Sequence, residues 1–402
     1  MKILMVNKFL YPAGGSETYM LQLGKELTRL GHEVEYFGME HEGNCVGNKE
    51  NAYTKDMDFH TSNPLKKITY AFSTIYSSEA RKKIRKVLDS FNPEVVHLNN
   101  FNYQLTPSIL MEIRKYDSDN GVKTKIVYTA HDFQLLCPNH MMMIPSTLEV
   151  CEKCIGGNYT NCIKNACIHN SKAKSLMGAA EASLYRKLKT YRMIDKVICC
   201  SHFMENKIRL HPDLKGKTVT LHNFCETAPA AFNPNGKYVL YFGRFAKEKG
   251  IMTLIEAAKS LPEIPFVFAG SGELESEINK VKNIKNVGFQ SGSSLHAYIA
   301  DAAFSVYPSI WYENCPFAVI ESILLGTPVI ASDIGGIPEL IENESTGILT
   351  EPHNAEMLAD TIKSTFYDKN KTAKMSENCR SAHFDTLREY TDKLLKIYNE
   401  IL

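Results

Sequence analysis

The chain reads as short apolar runs separated by longer stretches in which apolar residues recur every three or four positions. Runs of the first kind suit strands buried on both faces, and stretches of the second kind suit amphipathic helices. Their alternation predicts a parallel α/β architecture. In the first half the pattern predicts strands at 2–9, 33–39, 94–98, 125–130, 196–201 and 218–221. Helices at 16–30, 65–90, 104–116, 171–192 and 202–210 fall between them. A polar, proline-containing stretch at 225–236 interrupts the alternation, which then restarts with strands at 238–242, 266–269, 286–289, 304–307, 329–331 and 346–349.

The restart predicts two doubly wound domains in tandem, 1–224 and 237–383, joined by a linker at 225–236. A last helix in 384–402 carries apolar positions at Leu387, Tyr390, Leu394, Leu395, Ile397, Tyr398 and Ile401, and is expected to cross back to the first domain. In sheets of this kind ligands bind beyond the C-terminal ends of the strands. The residues just after each strand are therefore where chemistry is sought.

Composition changes this picture little. A length of 402 residues fits two domains, and 44% hydrophobic with 23% charged residues is the balance of a globular protein. The net charge of +1 provides no global field for nucleic acid. Locally the charge is uneven. Residues 64–86 carry Lys66, Lys67, Arg81, Lys82, Lys83, Arg85 and Lys86 against the single acid Glu79. Residues 172–196 carry Lys172, Lys174, Arg186, Lys187, Lys189, Arg192 and Lys196. No run of about 18 apolar residues predicts a membrane span. The N-terminal stretch reads as a first strand rather than a secretory signal, so the expected compartment is the cytoplasm.

Three segments carry candidate chemistry. The first strand runs into Tyr11-Pro12-Ala13-Gly14-Gly15-Ser16-Glu17 and then a helix, where backbone N–H groups can meet a phosphate. A Gly-Gly turn before a helix can equally be only a turn. The second domain's first strand is followed by Arg244 and Lys249, a bidentate fork and a point charge that suit a diphosphate, or else two solvated surface cations. After the strand at 304–307 come Glu313, Asn314, Cys315, Pro316 and Phe317, with Pro316 suited to a first helical turn. Glu321 then falls inside an apolar helix, where a carboxylate needs a partner: sugar or ribose hydroxyls, or a structural salt bridge.

Taken together these segments resemble the retaining glycosyltransferases of family four, whose GT-B fold has two Rossmann-like domains facing across a cleft. The resemblance covers nearly the whole chain. It rests on Gly14-Gly15-x-Glu17, on Gly243-Arg244-Phe245 with Glu248-Lys249-Gly250, and on Glu313 and Glu321 as an E-x7-E pair. Gly270-Ser271-Gly272 and Gly335-Gly336-Ile337-Pro338-Glu339 are similar to family loops. The resemblance implies a nucleoside-diphosphate sugar donor whose diphosphate is neutralised by Arg244 and Lys249, with no metal there. It implies that Glu313 and the backbone of Asn314, Cys315, Pro316 and Phe317 hold the donor sugar, and that Glu321 binds the ribose. Gly15 would meet the β-phosphate, and Phe289 lies where the family seats the base. His131, after the strand at 125–130, matches the active-site histidine and would hydrogen-bond the donor sugar, with Asp132 orienting its ring. The acceptor side falls to the first domain, and glycan or lipid-linked acceptors are expected.

Two features stand outside that frame. An insertion at 137–169 holds Cys137, Cys151, Cys154, Cys162 and Cys167, among eleven cysteines in a chain without an export signal. The spacing C-x2-C-x7-C-x4-C offers Cys151, Cys154, Cys162 and Cys167 as ligands of a structural zinc, with Cys137 or His169 in reserve; an iron–sulfur cluster or free thiols are the alternatives. The basic stretches read either as solvated helix faces or as a patch for an anionic membrane, with Tyr70, Phe72, Ile75 and Tyr76 beside the first. Competing functions are another GT-B enzyme such as a sugar-nucleotide epimerase, and a non-catalytic nucleotide-binding or zinc-scaffold protein.

Overall fold

A computed structural model describes residues 1–55, 73–226 and 236–402. The start of the helix expected from 65, with Lys66, Lys67, Tyr70 and Phe72, and most of the expected linker lie outside the described residues. The chain divides into two compact units. The first comprises Met1–Thr147, Cys151–His222 and Leu387–Leu402; the second comprises Asn223–Thr386 with Leu148–Val150.

The first unit is built on six parallel strands: β1 (Lys2–Val6), β2 (Glu33–Phe37), β3 (Val95–Leu98), β4 (Lys125–Ala130), β5 (Lys196–Cys199) and β6 (Thr218–Thr220), in the order β2-β1-β3-β4-β5-β6. Ile3 pairs with Val34 on one side and Val95 on the other. All four residues of β3 are buried, as expected of a strand covered on both faces. The helices include α1 (Gly15–Arg29), α2 (Ser78–Phe91), α3 (Ser108–Asn120), α4 (Thr160–Lys164), α5 (Lys172–Lys187) and α6 (His202–Ile208). Local chemistry sets their ends. Ser77, Ser171 and Ser201 cap the starts of α2, α5 and α6 by accepting from the N–H three residues on, and α3 stops at Gly121 in the left-handed region.

The second unit repeats the plan with β7 (Val239–Phe242), β8 (Phe266–Ala269), β9 (Ile284–Asn286), β10 (Phe304–Tyr307), β11 (Val329–Ser332) and β12 (Gly347–Thr350), ordered β9-β8-β7-β10-β11-β12 and all parallel. Its helices include α7 (Ile251–Lys259), α8 (Gly292–Asp301), α9 (Phe317–Leu324), α10 (Ala355–Tyr367) and α11 (Lys369–Ser381). Alternate residues of β7 enter opposite cores. Val239 and Tyr241 pack with Ile251, Leu254 and Ile362, while Leu240 and Phe242 pack with Val267, Ile299 and Leu325. The sheet is therefore covered on both faces, which is the doubly wound arrangement.

The chain's last helix, α12 (Leu387–Ile401), belongs to the first unit and packs on α1. Tyr390 and Tyr398 are fully buried there. The Tyr390 hydroxyl lies 2.7 Å from that of Tyr19, and the Tyr398 hydroxyl 2.5 Å from His97 Nδ1. No helix among the described residues is long and apolar enough to cross a membrane.

Several expected boundaries move, among them the helix expected at 104–116, which lies at Ser108–Asn120; three of the shifts have a local cause. The strand expected at 286–289 lies at Ile284–Asn286, because the Asn286 side chain accepts from the Gly288 N–H and Gly288 turns at φ +71°. The helix expected at 171–192 ends at Lys187; Lys189 adopts φ +53° and a 3₁₀ turn follows at Thr190–Met193. The first strand stops at Val6, after which Asn7 Nδ2 bonds Phe9 O at 2.7 Å in a loop.

Candidate active site

In the second unit the loops after β7 and β10 bring Lys249 and Glu313 together. Lys249 Nζ lies 2.6 Å from Glu313 Oε1 and 3.0 Å from the Tyr307 hydroxyl, and the ammonium sits 5.5 Å and 5.4 Å from the ring centres of Tyr307 and Trp311. Two glycines permit this approach. A Cβ on Gly250 would lie 1.7 Å from Pro308 O, so only glycine lets the Lys249 turn close on the end of β10. Gly335 adopts φ +64°, a Cβ there would lie 2.3 Å from Glu313 O, and the Gly336 N–H donates to that oxygen at 2.7 Å. The Gly335-Gly336 loop thus holds the main chain of Glu313 in place.

Glu313 is 7% exposed, and the hydrogen bonds to its carboxylate converge on one oxygen. Oε1 accepts from Lys249 Nζ, the Tyr307 hydroxyl at 3.2 Å, the Ser309 hydroxyl at 3.0 Å and Trp311 Nε1 at 2.6 Å. Burial alone would raise the pKa of Glu313, but the Lys249 charge and the bonds from Lys249, Trp311 and Ser309 outweigh it and hold the acid below the usual carboxylate range. Burial raises the Tyr307 hydroxyl well above its ordinary value, and the neighbouring Glu313 adds to that shift.

Lys249 is not the solvated surface cation of the alternative reading: its side chain is 14% exposed. It is the partner that Glu313's burial requires. Arg244 is 66% exposed and makes a surface pair with Glu248 at 2.9 Å. Glu321, on α9, meets His296 Nε2 of α8 at 3.1 Å. Burial raises its pKa and the imidazole only partly offsets this. Pro316 is the N-cap of α9 rather than a residue of its first turn. Cys315 is buried, with its carbonyl accepting from Asn223 Nδ2 at 3.0 Å. Asn314 and Phe317 flank these two, and Phe289 stands 73% exposed beyond β9.

In the first unit Gly14 and Gly15 are exposed at the start of α1, which has no side-chain cap. Glu17 is buried in the first turn and accepts from Asn7 Nδ2 at 3.1 Å and the Ser16 hydroxyl at 3.0 Å. His131 follows β4, with Nε2 2.9 Å from Asn99 Oδ1 and its ring edge-on to Tyr19 at 4.8 Å. Burial lowers its pKa to about 4, only partly offset by the charge of Asp132, so the imidazole is neutral near pH 7. The expectation that Asp132 orients the ring is corrected. Its Oδ1 accepts from the Gln134 N–H at 2.9 Å and its Oδ2 lies 3.5 Å from His140, while Asn99 meets the His131 ring.

Asn99, His296, Tyr307 and Trp311 escaped the sequence reading. Tyr307 ends the strand expected at 304–307 and Trp311 lies between it and Glu313; both carry donors, which was the available signal. Asn99 follows a strand end, as His131 does, but nothing in its neighbours marks it.

The insertion cysteines fall as follows. Cys137, Cys154, Cys162 and Cys167 are buried, Cys151 is part-exposed, and none of these five is in a disulfide. In the basic stretches, Arg81 and Arg85 pair with Glu112, Asp89 and Asp119, and Arg192 pairs with Asp213.

Two family models match this chain in succession. "Glycosyltransferase Family 4" covers residues 13–228 and "Glycosyl transferases group 1" covers 226–382. The chain belongs to glycosyltransferase family 4. Among curated relatives, alpha-D-kanosaminyltransferase of Streptomyces kanamyceticus is 31% identical over 176 residues, 40% of this chain and 45% of that protein. An uncharacterised glycosyltransferase of Methanocaldococcus jannaschii is 25% identical over 217 residues, 52% of this chain and 60% of the relative. The chain thus spans about half the length of the curated relatives it matches first. Over its full length it superposes on sucrose-phosphate synthase from Thermosynechococcus elongatus with a TM-score of 0.71 at 19% identity, covering 99% and 98% of the two chains. It also superposes on Anabaena HepE in complex with UDP, with a TM-score of 0.69 at 17% identity and full coverage of both. HepE has a further structure in complex with UDP-glucose. These likenesses establish the GT-B fold.

Proposed function

We propose that this family member is a retaining glycosyltransferase that moves a hexose-type sugar from a nucleoside-diphosphate donor to a glycan or lipid-linked acceptor, in cell-surface polysaccharide or glycoconjugate synthesis. The observation that carries the reading is the Glu313 carboxylate. Its Oε1 is held by four donors at the end of β10. This fixes the group in its ionised form and aims it without using Oε2, which is the oxygen for the donor sugar's hydroxyls. An acid that served only as the counter-ion of Lys249 would need no such one-sided clamp.

Arg244 and Lys249 supply the positive charge for the diphosphate. Arg244's pair with Glu248 is exposed and worth about 0–1 kcal/mol, so a phosphate displaces it readily. Lys249 has three N–H groups, and Glu313 and Tyr307 engage two of them. Charge growing on the leaving β-phosphate is stabilised by these fixed donors, which is electrostatic catalysis without a metal at the diphosphate. Glu321, steadied by His296, takes the ribose; the backbone of Asn314 and Phe317 and the turn at Pro316 frame the sugar; Phe289 offers an exposed ring to the base. On the first unit, Gly15 at the uncapped start of α1 serves the β-phosphate, and neutral His131 hydrogen-bonds the donor sugar. The uridine nucleotides seen with HepE make UDP and UDP-glucose the first donors to try.

The test is direct. The chain's single tryptophan is Trp311, whose indole N–H touches Glu313, so donor binding is read by its fluorescence. A nucleoside diphosphate is expected to change that signal, and a donor screen read by product mass to show transfer with the anomeric configuration retained. Silence from every nucleoside diphosphate, or an inverted product, would sink the proposal. Added magnesium is expected to leave the rate unchanged. Cytoplasmic placement at the inner face of the membrane accompanies a lipid-linked acceptor. Exposed Lys82 and Lys86 on α2 remain for an anionic surface after Arg81 and Arg85 are spent on acids of the same unit.

A further inference from the structure

Beyond β2 the chain forms a loop, 38–55, that is tied down along its length. Gly38 passes so close to the end of β1 that a Cβ on it would lie 2.3 Å from Asn7 O. Met39 and Thr54 form a parallel bridge, and the Glu40 N–H donates to Thr54 O at 2.8 Å. Buried Asn48 joins the loop to β2 and to itself. Its Nδ2 donates to Tyr36 O at 2.9 Å and Ala52 O at 3.2 Å, and its Oδ1 accepts from the Ala52 N–H at 3.0 Å. The Cys45 N–H and thiol both donate to Leu10 O, at 3.0 Å and 3.3 Å. A loop so fixed keeps its shape without a ligand, and it borders a pocket of about 520 Å³.

The polar side chains that line the pocket are held by the loop with hydrogen-bonding capacity to spare. His41 stacks on Tyr11, ring centres 4.2 Å apart and planes 22° from parallel. The Gly43 N–H donates to His41 Nδ1 at 2.9 Å, so the neutral ring carries its proton on Nε2, which is then a donor. The Tyr53 hydroxyl accepts from the Asn48 N–H at 3.2 Å and keeps its own proton to donate. A Cβ on Gly47 would lie 2.1 Å from that hydroxyl, so glycine there makes room for it. Asn44 donates to Met39 O at 2.9 Å, which leaves its buried Oδ1 without a partner. Glu40 is exposed and pairs with no cation among the described residues. Asn51, at φ +47°, adds a second amide to the lining. No lysine or arginine lines the pocket among the described residues.

That lining selects a ligand class. A phosphate or an acidic sugar calls for cations, and the one full charge in the lining is the negative charge of Glu40. A lipid chain calls for apolar walls, and this lining is mainly carboxylate, amide, imidazole and phenol. Sugar hydroxyls both donate and accept, and the set here does both: Glu40 and Asn44 accept, His41 Nε2 and Tyr53 donate, and the Asn51 amide does either. We propose that this pocket is a carbohydrate subsite, which takes a sugar ring of the acceptor that bears no negative charge. Tyr11, which backs His41, opens the segment that runs to Gly14 and Gly15 at the start of α1. The subsite therefore borders the loop assigned above to the leaving β-phosphate, in the unit expected to receive the acceptor. As a place for the acceptor it rests on the transferase reading; as a sugar site it does not.

The test reads sugar binding apart from donor binding. Full-length protein without nucleotide is titrated with the methyl glycosides of glucose, galactose, N-acetylglucosamine, glucosamine and glucuronic acid, and with inorganic phosphate, followed by saturation-transfer NMR. At least one of the first four is expected to bind, and the glucuronide and phosphate to give no saturable signal. Glu40→Gln, on an exposed side chain that the fold does not need, is expected to weaken binding about tenfold through loss of a charge-assisted hydrogen bond. Tyr53→Phe, which removes one neutral donor, is expected to weaken it about threefold. His41→Ala should abolish the signal. The Trp311 response to nucleoside diphosphate should be the same in all three variants, and in transfer they should raise the KM for the acceptor and leave that for the donor unchanged. A Trp311 response that never appears would sink the transferase reading while variant-sensitive glycoside binding still upheld the sugar site. The subsite is overturned by silence from every glycoside, by binding that all three variants leave intact, or by a glucuronide or phosphate that binds as well as the uncharged sugars.

Discussion

Lys249 and Glu313 support the second unit as well as its chemistry, and the two roles separate in a double-mutant cycle. The pair is 2.6 Å apart with side chains 14% and 8% exposed. At an effective dielectric of about 20, the gross attraction at that distance is about 6 kcal/mol, opposed by the desolvation of both groups. Removing one partner leaves the other buried without its counter-charge, for which about 3–5 kcal/mol is typical. Lys249→Met keeps the stem and removes the charge; Glu313→Gln keeps the shape and an acceptor for Tyr307, Ser309 and Trp311. Each single variant is expected to lower the stability of this unit by about 3 kcal/mol, and the double variant by much less than the sum, a coupling of about 2–4 kcal/mol. Trp311 fluorescence during urea unfolding reads this unit selectively, since it is the chain's single tryptophan. Acid adds a second reading. Glu313's pKa is depressed in the folded state, so its contribution is present above the unfolded value near 4.5 and is lost as pH falls through the folded value. The wild-type advantage over Glu313→Gln should therefore shrink on acidification. A coupling below about 0.5 kcal/mol would refute the claim that Lys249 neutralises a buried acid.

Arg244→Ala is expected to leave urea stability within about 0.5 kcal/mol, because its pair with Glu248 is exposed, while transfer is lost; retained transfer would remove Arg244 from the mechanism. Tyr398→Phe strips the hydroxyl from His97 Nδ1, leaving a buried imidazole nitrogen unpaired, and should weaken the first unit by about 1–2 kcal/mol with faster amide exchange in α12; unchanged exchange would count against the buried network as the helix's anchor. Glu181, buried on α5, has its pKa raised to about 8 by burial. Its unfolded form ionises near 4.5, so between about 4.5 and 8 folding withholds ionisation and stability falls by about 1.4 kcal/mol per pH unit. Glu181→Gln should flatten that decline, and an identical pH profile in the variant would show that burial does not shift the acid.

The alternation of apolar runs and amphipathic stretches was enough to announce two parallel doubly wound units, because strand and helix periods are local consequences of which faces are buried. Gly14-Gly15, Arg244, Lys249, Glu313 and Glu321 were visible for the same reason: chemistry in such sheets gathers at strand ends, and these residues follow strands or open the next helix. Helix α12 announced its amphipathic face but not the hydroxyls of Tyr390 and Tyr398 that lock it to Tyr19 and His97. Partnership was decided only by the fold. Lys249 meets Glu313 across 64 positions of chain, and Glu321 meets His296 across 25, and no periodicity encodes which strand ends become neighbours. The Cys-rich insertion shows the same division: spacing marked a group of thiols, while only packing buried Cys137 and left Cys151 part-exposed, since burial depends on how a loop folds back on its unit. Glu313 and Glu321 are eight positions apart along one stretch, yet their pKa values move in opposite directions, because a charge's environment is built from elements the local sequence does not contain.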